Sequence, residues 1–191
     1  GHDVSESFPT PLFDPDVLTH FFDSLSVTVC QSVDALAAEI GAPGPDDLDP
    51  VTSLWERRGR ELTGLELATS LAWQGQYRAR MNTWWEDYDL LLSPVFPTPA
   101  PPVSWPWEVE DGLQKTVDVL AFTAPFNTTG QPAISVPAGL TAQGLPVGVQ
   151  LVAAYGREDL LLKVARQLEV ARPWSAIAPA YRSWAVIRIH D

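Results

Sequence analysis

Apolar positions recur every three or four residues from Leu18 through Phe22, Leu25, Val29, Val33 and Leu36 to Ile40, the spacing of one buried stripe on a helix of about seven turns. Asp14-Pro15-Asp16 opens that helix, because aspartate accepts free amides at a helix start, proline fits the first helical position, and acids suit the positive end of the dipole. Gly41-Ala42-Pro43-Gly44-Pro45 stops it, and the acidic stretch Asp46 to Asp49 reads as a connecting loop. A second helix begins at Thr63-Gly64-Leu65-Glu66, where threonine and glutamate have the spacing to satisfy each other's amides. Trp73, Tyr77, Met81, Trp84 and Tyr88 continue it along one face, a pattern of core packing.

The run Leu90-Leu91-Leu92 has the length of a fully buried strand of the kind found inside a parallel or mixed sheet. Six prolines between Pro94 and Pro106 then force an extended, donor-poor loop, with Trp105-Pro106-Trp107 laid over the body of the domain. Pro99 and Pro102 also make a formal PxxP, a ligand pattern for an aromatic groove on another protein. Val117 to Phe122 reads as a short helix that breaks before Pro125. Ala133 to Pro137 and Val147 to Val152 alternate as strands, with Gly139 and Gly144 bracketing the turn between them. Gly156-Arg157-Glu158-Asp159 opens a last helix that packs Leu161, Val164, Ala165 and Leu168 inward and stops at Pro173. Gly1-His2-Asp3-Val4 reads as a helix end running into a strand, and residues 175–191 form an irregular tail. The pattern predicts an α/β fold with a mixed sheet flanked by helices, in one unit without repeats.

Composition narrows the function classes. Twelve basic against twenty-four acidic residues give a formal charge of -12, which repels phosphate backbones and anionic surfaces and argues against a nucleic-acid partner. No apolar run approaches the roughly 20 residues that span a bilayer, so no membrane role is expected. The single cysteine, Cys30, excludes an internal disulfide and a thiolate zinc cluster, and fits a cytoplasmic protein.

Self-contained chemistry is scarce. There is no Gly-x-Ser-x-Gly elbow and no Gly-Lys-Ser/Thr phosphate loop, and His2, His20 and His190 lack metal-ligand spacing. Glu86, Asp87 and Asp89 read as a solvated face near a helix end rather than a paired-acid site. Cys30 lies on the flank of the first stripe with no histidine near it in sequence, so a wall residue fits better than a thiolate nucleophile.

The segment Phe122-Thr123-Ala124-Pro125-Phe126-Asn127-Thr128-Thr129-Gly130-Gln131-Pro132-Ala133-Ile134-Ser135-Val136-Pro137, followed by Gly144 to Leu151, closely resembles the distal part of amidase-signature enzymes. Gly1 to Val4, the Thr63 helix, Tyr88 to Pro94 and Leu160 to Trp174 match in the same order, so the resemblance covers nearly the whole chain up to Trp174. Leu120 to Thr123 and Ala153 to Leu162 look most like the branch that opens amide bonds of nylon oligomers. The resemblance implies the carboxy-terminal part of an α/β/α fold with a mixed, twisted central sheet. It also implies a serine nucleophile, a second serine in a cis peptide and a lysine, all in a glycine- and serine-rich stretch that this chain lacks.

Residues 1–191 are therefore expected to be one portion of a single domain, with no catalytic residue, metal or cofactor of their own. Their partners would be the amino-terminal portion carrying Ser-Ser-Lys and a small amide, with a homodimer of the complete enzyme as a further expectation. The resemblance places Cys30, Phe122, Phe126 and Asn127 at the substrate pocket. Leu120, where relatives acting on amino-acid amides carry an acid, favours an apolar or aromatic substrate. The competing reading is a non-catalytic amidase scaffold that binds a small amide or a partner protein.

Overall fold

The computed structural model describes residues 1–44, 47–103, 105 and 112–174. The elements in chain order are a one-turn 3-10 helix at Thr10–Phe13, α1 (Val17–Ile40), α2 (Pro50–Glu61), α3 (Gly64–Asn82), a second 3-10 turn at Thr83–Glu86, β1 (Leu90–Pro94), α4 (Gly112–Val119), α5 (Ala124–Thr129), β2 (Ala133–Leu140), β3 (Pro146–Ala153) and α6 (Glu158–Ala171). The strands lie in the order β1-β3-β2. The α/β class holds, and among the described residues both strand pairs are antiparallel.

Alternation of side chains across this sheet builds two layers. On one face Leu91 and Val152 join Leu12, Val17, Tyr77, Met81 and Phe126, the core shared with α1, α3 and α5. On the other face Val136, Leu151 and Ala153 pack against Leu161 and Ala165 of α6. Both outer strands carry a proline, Pro94 in β1 and Pro137 in β2, where a missing amide donor costs no central ladder bond. β1 is not fully buried: its exposure alternates, and Leu92 points to a part of the second face that α6 does not cover.

Local chemistry explains most helix ends. Thr63 accepts the Glu66 amide while Glu66 accepts the Thr63 amide, so the capping box forms as the sequence predicts. After Asp49 a further helix forms that the sequence reading leaves unassigned. Asp49 accepts the amides of Val51 and Thr52 at 2.9 and 3.0 Å, Pro50 takes the first turn, and α2 follows. Pro125 likewise sits in the first turn of α5 instead of ending a helix, and Gly130 closes that turn with φ +74° and its amide on the Phe126 carbonyl at 2.8 Å. Residues 1–9 form neither helix nor strand, so the helix end running into a strand expected at Gly1 to Val4 is not seen.

The buried side of α1 differs from the predicted stripe. Its most enclosed residues are Val17, Asp23, Ser26 and Cys30, whereas Leu36 and Ile40 are 54% and 76% exposed. Close approach of α2 selects these small and polar positions: a Cβ on Gly59 would fall 2.3 Å from the Ser26 carbonyl oxygen and 2.6 Å from the Cys30 sulfur. Asp46, Pro106, Trp107 and the tail at 175–191 lie outside the described residues, so the readings made of them gain no structural account.

Candidate functional site

Gln150 interrupts the apolar run of β3 and points to the same sheet face as Leu91 and Val152. Its pairing register sets Ser93 of β1 on one side and Ser135 of β2 on the other, a polar row across the sheet. The buried Gln150 carboxamide donates to the Ser93 hydroxyl at 3.1 Å and to the Phe122 carbonyl at 2.8 Å. Satisfying that buried donor fixes the loop before α5 against the sheet. Phe122 is thereby held above the polar row.

The Phe122 ring meets Phe13 edge-on at 6.2 Å, and Phe13 meets Phe8 at 5.6 Å, a ladder of rings along one side of the site. Phe8 and Phe13 are 50% and 57% exposed, so the ladder presents apolar surface. One turn further on, Phe126 is buried in the core edge-on to Trp85 at 6.5 Å. Asn127 is exposed, and its carboxamide has no hydrogen-bond partner among the described residues.

Cys30 stands apart from this group. Its thiol donates to the Glu56 carbonyl at 3.0 Å in the α1–α2 interface, and 8% of the residue is exposed. Burial pushes the Cys30 thiol up, partly countered by the charge of Arg60, which disfavours a thiolate. Of the four residues chosen from sequence, Phe122, Phe126 and Asn127 come together around α5, and Cys30 has its described contacts with α2 instead.

Phe8, Phe13, Ser93 and Gln150 were not identified in the sequence. Gln150 carried a usable signal, an amide inside an otherwise apolar strand. The two phenylalanines carried none, because the contact of 122 with 13 is made only by the fold. No group of three or more His, Cys, Asp or Glu able to hold a metal occurs among the described residues.

A sheet with helices packed on both faces, crossed by the Phe122 loop at a polar row, defines an α/β/α layered protein. Residues 17–162 match the family model described as Amidase, and the chain belongs to the amidase-signature family. It is 38% identical to the 6-aminohexanoate-cyclic-dimer hydrolase of Paenarthrobacter ureafaciens over 94% of this chain and 38% of that protein. It is 29% identical to an acylamidase of Rhodococcus erythropolis over 87% of this chain and 41% of that protein. Among solved structures, that of a 6-aminohexanoate cyclic dimer hydrolase superposes with a TM-score of 0.82 at 36% identity, covering 92% of this chain and 39% of that one. The chain thus spans about two fifths of the length of these relatives.

Proposed function

We propose that this chain is the carboxy-terminal portion of a serine-dependent amide hydrolase acting on small linear or cyclic amides, within one amidase-signature domain. Its share of the work is physical. The sheet and the α5 loop hold one wall of a water-poor cleft, against which a nucleophile and an oxyanion site on the remaining portion address the scissile carbonyl. Phe122 and Asn127 line that wall, with Asn127 offering an amide to the substrate and Phe126 packed behind them in the core; Cys30, in the α1–α2 interface, stands away from it.

The observation that carries this reading is the 38% identity to a 6-aminohexanoate-cyclic-dimer hydrolase across 94% of the chain. The half-exposed Phe8–Phe13–Phe122 ladder supports an apolar substrate body. Proteins joining this chain to the remainder of the enzyme would be assayed on linear and cyclic aminohexanoate amides, beside the 191-residue chain alone. The joined protein is expected to hydrolyse them, with a serine-directed inhibitor labelling the other portion. Amide cleavage by the isolated chain would overturn the reading. In the joined protein Asn127→Ala is expected to raise KM about tenfold, the loss of one hydrogen bond to substrate.

A further inference from the structure

An open cavity of about 320 Å³ lies between α1, α2 and the start of α3, lined by His20, Asp23, Arg58, Leu65, Glu66, Thr69 and Ser70. It shares no residue with the Phe122 site. Asp23 and Ser70 are more than nine-tenths buried. The Ser70 hydroxyl donates its one proton to Asp23 Oδ2 at 2.7 Å, so at 2.9 Å it accepts from His20 Nδ1. That count places a hydrogen on Nδ1 of His20. Trp73 stacks on the imidazole at 4.5 Å and holds its plane.

The charged groups leave complementary valences open. Arg58 gives Nη2 to Asp23 at 2.8 Å, and its other N–H groups have no partner among the described residues. Glu66 takes the Thr63 amide and hydroxyl on Oε2 alone, and Oε1 is without a described partner. Arg58 and Glu66 share this cavity without forming an ion pair. A guanidinium and a carboxylate lining one space, beside the apolar Leu65 side chain, match a molecule carrying both charges.

We propose that this cavity binds a short zwitterionic amino acid, its carboxylate on Arg58 and its ammonium on Glu66 Oε1. The inference stands apart from the amide-hydrolase reading, because the ligand contains no amide and binding is read without turnover. Calorimetric titration of the intact protein with glycine, 4-aminobutyrate and 6-aminohexanoate would be set against butyrate and butylamine. Glu66→Gln keeps the capping geometry and Arg58→Lys keeps a cation for Asp23, so both variants should fold, as unchanged thermal unfolding would verify. Saturable binding of at least one zwitterion, weakened about tenfold in each variant and in each singly charged analogue, is the expected result. No saturable binding, equal binding of butyrate or butylamine, or binding untouched by both substitutions would overturn it.

Discussion

Asp23 sits where three helices meet and holds one donor from each of its neighbours: Arg58 of α2 at 2.8 Å and Ser70 of α3 at 2.7 Å. Removing the carboxylate strands a buried hydroxyl and frees a half-exposed guanidinium. Asp23→Ala is expected to lower unfolding free energy by about 2 kcal/mol, with Asp23→Asn milder because its carbonyl still accepts from Ser70. Urea unfolding of the two variants measures the difference, and equal losses would mean that charge, not hydrogen bonding, matters here. Gly59 poses a packing problem at the same interface. Gly59→Ala is expected to cost about 1–3 kcal/mol, and the companion change Cys30→Ala should recover only part of it. Trimming the sulfur removes the 2.6 Å clash but leaves the 2.3 Å approach to the Ser26 backbone oxygen.

At the scale of elements, helix starts respond to substitution and pH through single caps. Thr63→Ala removes one side of the capping box and should lower stability by about 1 kcal/mol, read as a fall in Tm. At α6, Lys163 and then Arg157 hold the Asp159 carboxyl at about 2, against an ordinary 3.8. A depressed carboxyl contributes stability above its unfolded value and loses it as pH falls through the folded one. The α6 amino terminus should therefore loosen between pH 3.8 and about 2. Hydrogen exchange at Leu161 to Val164 checks this, and Asp159→Asn should flatten the dependence. What was legible follows the same logic. α1, α3, the β2–β3 hairpin and α6 announce themselves through periodicity, caps and turn glycines. α2 was missed because none of its residues is fully buried, so it carries no strong apolar stripe, and its start is written only in Asp49-Pro50, and α5 because Pro125 looks like a breaker when it is a first-turn residue. That Phe122, Phe126 and Asn127 lie together was legible, because one contiguous segment carries them. The polar row of Ser93, Gln150 and Ser135 was not, since strand register decides which residues become neighbours.

On the scale of the molecule, α1 is unevenly covered. Its first half is enclosed by α2, α3 and α5, while Leu36 and Ile40 at its far end and Leu92 on β1 present apolar side chains to solvent. Exposed residues of this size near an interface stabilise a protein when something packs on them. Under the proposed arrangement, the amino-terminal portion of the enzyme supplies that cover. Amide exchange along the last turns of α1 should then be fast in the 191-residue chain and slow at least tenfold in the joined protein, whereas exchange at Tyr77 and Met81, already fully buried, should change little. Local protection confined to the end of α1 and to β1 would tie the gain to covered surface, since general stabilisation would slow the core amides as well. Equal protection of α1 in both proteins would mean that its apolar end stays bare when the enzyme is whole, and the proposed packing would fall with it.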